Sequence, residues 1–156
     1  MPKKYYIAYG SNLNVNQMHF RCPSARVIGI ATLDGWQLLF KGSKTGSYLT
    51  IEQNEGYQVP VAVWEITPED EAALDRYEGY PTFYYKREIP VSFAGIKTGK
   101  VRHRTAMVYI MHEDRPLGIP TRSYLYTCAE GYRTFGFDVE YLLQAVADSQ
   151  EVNDDE

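Results

Sequence analysis

Read for apolar and polar positions, the chain is a series of β-rich runs with a few helical stretches set between them. Tyr5-Tyr6-Ile7-Ala8-Tyr9 ends at Gly10, which predicts a strand and then a turn. Asn14 is placed to cap a short helix to about residue 21, stopped by Pro23. Residues 26–40 hold two strand-like runs joined near Asp34-Gly35. Residues 48–52 and 57–66 flank Asn54-Glu55-Gly56, a hairpin signal. Within the second run Pro60 cannot donate to a ladder, so that end belongs at an edge or a bulge.

Thr67-Pro68-Glu69-Asp70 starts a helix: a capping Thr, Pro at the first position and acids in the first turn. It runs through Leu74 and Tyr77 and stops at Gly79. Residues 83–93 and 101–111 read as strands around Lys97-Thr98-Gly99-Lys100. A helix follows over about 122–133, and Asp138 caps a last one with apolar Leu142, Leu143 and Val146. Hairpin-linked strands with inserted helices predict an α+β domain built on a small mixed β-barrel with flanking helices.

The length fits one domain over 1–150, and the acidic run 151–156 reads as a disordered tail. A net charge of -4 argues against nucleic acid as a partner. Arg102-His103-Arg104 fits a solvated strand face better than a phosphate site. Cys22 and Cys128 form no CxxC pair, and His19, His103 and His112 have no ligand spacing, so neither metal nor cofactor is expected. Reduced thiols point to the cytoplasm. The apolar start is too brief for a signal peptide, and no run of 18 or more apolar residues could span a membrane.

Two features could carry chemistry. Gly10-Ser11-Asn12 lies between a strand and a helix, where successive backbone N–H groups can converge on a carboxylate or an oxyanion. A plain turn has the same composition. Glu78 sits at a helix C-terminus, four residues after Leu74. The dipole there disfavours a carboxylate and burial adds to the effect, so its pKa should rise toward the range useful for proton transfer. A solvated Glu at a frayed helix end is the plain alternative. Tyr84, Tyr85 and Tyr124 are packing residues or phenols that orient a substrate. Ser11 lacks a Gly-x-Ser-x-Gly elbow, so it is not read as a nucleophile.

Tyr6-Ile7-Ala8-Tyr9-Gly10-Ser11-Asn12-Leu13 resembles the signature of the γ-glutamylcyclotransferase-like family, which includes AIG2-like and BtrG-like proteins. Val63-Trp64-Glu65-Ile66, then Leu74-Asp75-Arg76-Tyr77-Glu78-Gly79, then Tyr85 form a second matching block, and Ser123-Tyr124-Leu125 a weaker third. The resemblance implies a small β-barrel with flanking helices, Glu78 as general acid/base, and the loop Tyr9, Gly10, Ser11, Asn12, Leu13 around the substrate's glutamyl end. Tyr85 and Tyr124 complete the expected substrate-binding set. The implied substrate is a small γ-glutamyl amide, cyclised to 5-oxoproline with release of an amine. The reaction needs no nucleophile from the protein, because the substrate's own α-amine attacks its γ-carbonyl. The link Tyr80-Pro81-Thr82-Phe83 departs from the family's better-studied members, in a region that can face the leaving amine. Two other functions fit the same residues: a non-catalytic module binding a small carboxylate, and an acyltransferase or amide hydrolase acting on a related amino-acyl amide.

Overall fold

The computed structural model describes residues 3–43 and 46–154, with side chains to residue 150. In chain order they form β1 (Lys4–Ala8), a 3-10 turn (Ser11–Leu13), α1 (Val15–Arg21), β2 (Arg26–Lys41) and β3 (Tyr48–Ile66). Then follow α2 (Pro68–Glu78), β4 (Tyr84–Gly95), β5 (Val101–Met111), α3 (Arg122–Phe135) and α4 (Glu140–Asp154). The strands close a barrel in the order β1-β3-β2-β4-β5. Closure comes from one parallel contact, Tyr6 of β1 beside Met107 of β5; the remaining pairs are antiparallel. The barrel is therefore mixed, as the pattern of elements predicts.

The expected hairpin at Asn54-Glu55-Gly56 does not form. Residues 48–66 are one strand, and residues 26–41 are another, paired along most of their length. Gly35 (φ +82°) and Gly56 (φ +92°) do take the left-handed conformation a turn would use. They spend it on an irregularity: Trp36 pairs with Gln53, yet Asp34 pairs with Gln58. Extra residues opposite Gly35 bend the pair, as a bulge does, and leave the ladder intact on either side. Pro60 pairs with Thr32 of β2 but lies beyond the last β1 partner, Ala62, so β3 is a half-open edge at that position, where a proline is tolerated.

The runs Val59–Trp64 and Ala106–Met111 are buried at every position, because the strands that carry them are covered on both faces. β4 differs. Ile89, Val91 and Phe93 face the core, whereas Lys86 on the opposite face reaches Glu71 and Asp75 of α2. Side chains alternate along a strand, so Tyr84 shares the α2 face with Lys86, and Tyr85 points the other way.

α2 carries the expected signals. The Thr67 side chain accepts from the Asp70 N–H at 3.2 Å and the Asp70 carboxylate accepts from the Thr67 N–H at 3.0 Å, a reciprocal cap. Gly79 ends the helix with φ +66°. α4 docks on β2 through the buried Ser149 hydroxyl, which accepts from the Phe40 N–H at 2.9 Å. Its inward residues are Leu142 and Ala145, while Leu143 is exposed. The tail expected over 151–156 falls on residues whose side chains, and for 155–156 also the backbone, lie outside the described residues; the helical backbone of α4 runs to Asp154. Among the described residues no helix is long and apolar enough to cross a membrane.

Candidate active site

The loop after β1 is held by α3. Its 3-10 turn is closed by the Leu13 N–H donating to Gly10 O at 3.0 Å and the Asn14 N–H to Ser11 O at 2.9 Å. The N–H groups of Ser11 and Asn12 head this turn and have no backbone acceptor within it. Asn14 caps α1 by accepting from the Gln17 N–H, and its amide donates to Glu130 at 2.7 Å and to Thr127 O at 3.1 Å. The Tyr132 hydroxyl donates to Tyr9 O at 3.3 Å. Gly131 lets the helix come this close: a Cβ there would sit 2.5 Å from the Leu13 carbonyl carbon.

Glu78 closes the site from the other side. It lines two adjoining recesses. The inner one, about 20 Å³, is bounded by Gly10, Ser11, Asn12 and Leu49 and by Tyr6, Tyr9, Tyr84, Tyr109 and Tyr124. The outer one, about 200 Å³, shares Ser11, Glu78, Tyr84 and Tyr124 and adds Tyr48, Tyr77 and Phe83. Among the described residues the Glu78 carboxylate has no hydrogen-bond partner. Burial among the tyrosines pushes its pKa from an ordinary 4.5 up to about 8, against the pull of the Arg21 guanidinium. The residue as a whole keeps some access to water, but the atoms packed around it decide its proton affinity.

The phenols are mutually ordered. Asn12 donates to Tyr6 OH at 2.8 Å and accepts from Arg21 at 2.5 Å. Tyr9 donates to Tyr109 O at 2.7 Å, and Tyr109 in turn donates to Asp75 at 2.5 Å. Tyr84 donates to Leu49 O, and Tyr124 accepts from Leu49 N–H. Ser11 Oγ and the Tyr77 hydroxyl are 3.0 Å apart. Burial first, and the nearby Glu78 charge in addition, hold Tyr6, Tyr9, Tyr84 and Tyr124 well above the usual phenol range. These groups stay protonated and can donate hydrogen bonds at neutral pH.

Six of the loop and tyrosine positions singled out from the sequence meet at Glu78: Tyr9, Gly10, Ser11, Asn12, Tyr84 and Tyr124. Two do not. Leu13 is fully buried, and its side chain packs in the core below the loop. Tyr85 faces away, donating to Glu113 and touching the His112 ring at 5.2 Å. Its neighbour Tyr84 takes the place in the wall, since adjacent strand residues point to opposite faces. Sequence reading also missed Tyr6, Tyr109 and Gly131. Tyr6 lies inside the quoted signature, and parity with Tyr84 across β4–β5 would have found Tyr109 once the register was known. Among the described residues no three His, Cys, Asp or Glu converge as a ligand set, and Cys22 and Cys128 are buried free thiols.

Comparison with known proteins gives one consistent result. The family model described as "Gamma-glutamyl cyclotransferase, AIG2-like" matches residues 6–126. A Bos taurus protein named gamma-glutamylcyclotransferase is 31% identical over 158 residues, covering 96% of this chain and 79% of its own. A Homo sapiens protein of the same name is 32% identical over 146 residues, covering 87% and 73%. A solved structure titled "Gamma-glutamyl cyclotransferase" superposes with a TM-score of 0.73 at 27% identity, covering 92% of this chain and 86% of that one.

Proposed function

The chain belongs to the gamma-glutamyl cyclotransferase, AIG2-like family, and from that premise we propose that it converts a small γ-glutamyl amide into 5-oxoproline and a free amine, with Glu78 as general acid and base. The observation that carries this reading is the Glu78 carboxylate itself: without a hydrogen-bond partner among the described residues, placed where two recesses meet, with a pKa of about 8. A group tuned close to working pH both accepts and returns a proton with little penalty. A module that only binds an anion gains nothing from a carboxylate at that point.

The α-ammonium of the glutamyl group gives a proton to Glu78. The freed amine attacks the γ-carbonyl carbon, a new C–N bond closes the five-membered ring, and the original amide C–N bond breaks. The attacking nitrogen sheds two protons on its way from ammonium to ring amide. The departing nitrogen gains two on its way to an ammonium. Glu78 relays them in turn and ends as it began. The N–H groups of Ser11 and Asn12 and the phenol of Tyr6, which accepts from Asn12 and keeps its own proton to give, are the donors for the oxyanion and the α-carboxylate. The inner recess has room for about one such oxygen-bearing group. The remainder of the substrate lies in the outer recess.

The test is a panel of γ-glutamyl amides with both products read by mass spectrometry. The expected result is 5-oxoproline and amine in equal amounts from the wild-type protein, falling by about a hundredfold or more in Glu78→Gln. Free glutamate in place of 5-oxoproline would make the protein an amide hydrolase. Turnover undiminished in Glu78→Gln would remove that residue from the chemistry.

A further inference from the structure

We propose that the outer recess is a leaving-group site for γ-glutamyl amides whose amine carries an aromatic ring and no carboxylate; this rests on the cyclotransferase reading above. Glu78 lines both recesses, so an amide nitrogen within its reach directs its substituent into the outer one. That space is walled by rings. Tyr48 meets Phe83 edge to face at 90° with centroids 6.3 Å apart, and meets Tyr124 at 87° and 5.0 Å. Phe83 meets Tyr84 at 71° and 5.2 Å. Such contacts fix the orientation of each ring, and the faces left over are ready to stack against a planar group.

The rim is also unsatisfied as it stands. Tyr48 is 46% exposed and Tyr77 43% exposed. Phe83 belongs to the link that departs from the family pattern, and the left-handed Gly42 abuts it: a Cβ there would lie 3.0 Å from the Phe83 ring. A ring entering the recess covers these surfaces and gains apolar burial.

A carboxylate on the same amine meets the opposite setting. Aromatic faces carry the negative side of the ring quadrupole. Glu78 is the one ionisable acid in the lining, and no Lys, Arg or His appears there among the described residues. Two guanidiniums touch the lining rings from outside the lining, each lying over a ring and bonded to neutral acceptors. Arg21 lies 3.5 Å over Tyr77 and donates to Asn12 and Gln17; Arg115 lies 4.7 Å over Phe83 and donates to Thr82 O. Among the described residues the lining itself holds no cation to replace the water that a carboxylate entering this recess would lose.

The experiment compares kcat/KM for 5-oxoproline release from three substrates: γ-glutamyl methylamide, γ-glutamyl phenethylamide and γ-glutamylphenylalanine. The last two differ only by the carboxylate. The phenethylamide is expected to exceed each of the others by about tenfold or more. In Tyr48→Ala, where a half-exposed ring is removed and circular dichroism verifies the fold, the phenethylamide-to-methylamide ratio should fall by about fivefold. An equal or higher kcat/KM for γ-glutamylphenylalanine, or a ratio unchanged in Tyr48→Ala, overturns the leaving-group assignment while 5-oxoproline release leaves the cyclotransferase reading standing. No 5-oxoproline from any of the three overturns both.

Discussion

The phenol of Tyr109 donates to the Asp75 carboxylate across 2.5 Å, and so ties β5 to α2 one helical turn before Glu78. Residues three apart lie on one side of a helix, so this bond acts on the face that presents the Glu78 carboxylate. Asp75 also takes Lys86 of β4 at 3.0 Å, and Lys86 bridges on to Glu71 at 2.7 Å. Burial and the Asp75 carboxylate together keep the Tyr109 phenol far above its ordinary pKa, so it is always a donor.

Tyr109→Phe removes that donor and leaves Asp75 its Lys86 partner. A hydrogen bond to a charged group is worth about 1.5–3 kcal/mol, which should appear as lost stability in urea denaturation. Because the bond sets the angle of the helix behind Glu78, kcat should fall by more than KM rises. A Tyr109→Phe protein with wild-type kcat would show that the bond does nothing beyond holding the helix down.

Glu78→Gln should weaken catalysis and strengthen the fold. The folded-state pKa, about 8, lies above the ordinary 4.5. Below the lower value both folded and unfolded chains hold the proton, and the residue costs no stability. Between the two values the unfolded chain has shed a proton that the folded one keeps, so stability falls as pH rises. The loss is complete above about 8. Gln has no charge to bury, so the variant should be more stable at pH 8.5 by on the order of 1–3 kcal/mol, or several degrees in Tm. The advantage should shrink toward pH 5. Thermal melts at the two pH values check it; an advantage that did not change with pH would mean the carboxyl is not the group being desolvated.

The pH profile of kcat/KM should carry a limb that falls as pH drops through about 8, because the free enzyme must lose the Glu78 proton before it can take one from the substrate. In kcat the limb should lie lower, since a bound ammonium favours the carboxylate. Arg21 is the group that draws the Glu78 pKa down. Arg21→Gln should therefore move the kcat/KM limb to higher pH. A limb that stays in place in Arg21→Gln belongs to some other residue.

What could be read from the sequence was local. The Gly10 turn, the Asn14 cap, the reciprocal cap of Thr67 and Asp70, the Gly79 stop and the placing of Glu78 all depend on residues within a few positions of one another. The misreadings depend on distant partners. Whether Gly56 makes a turn or a bulge is decided by what β2 does opposite it, and Gly35 is there to bulge with it. Whether Tyr84 or Tyr85 enters the site is decided by which face of β4 receives α2, a matter of register. The phenols of Tyr6 and Tyr109 meet through strand pairing that no spacing in the chain announces.

Gly131 is the sharpest case of a distant partner. At an ordinary helix position Gly→Ala stabilises, by about 1 kcal/mol, because alanine loses less entropy on ordering. Here the added Cβ would stand 2.5 Å from the Leu13 carbonyl carbon and 2.7 Å from the Asn14 nitrogen. Both are backbone atoms, so no side chain can rotate aside; α3 and the substrate loop must separate. Overpacking of this kind costs about 1–3 kcal/mol, which outweighs the helix gain. Gly131→Ala should therefore lower stability, and it should lower kcat/KM as well, because the N–H groups of Ser11 and Asn12 move with the loop. Ser11→Ala sets the scale for comparison. It removes one hydroxyl contact, that to Tyr77, and leaves both N–H groups in place. At about 0.5–1.5 kcal/mol for a neutral hydrogen bond, it should cost tenfold or less in kcat/KM. Measuring both variants on one substrate decides the matter. If Gly131→Ala kept wild-type kcat/KM while Ser11→Ala lost all activity, catalysis would run through the hydroxyl of Ser11 rather than through a loop that α3 holds in position.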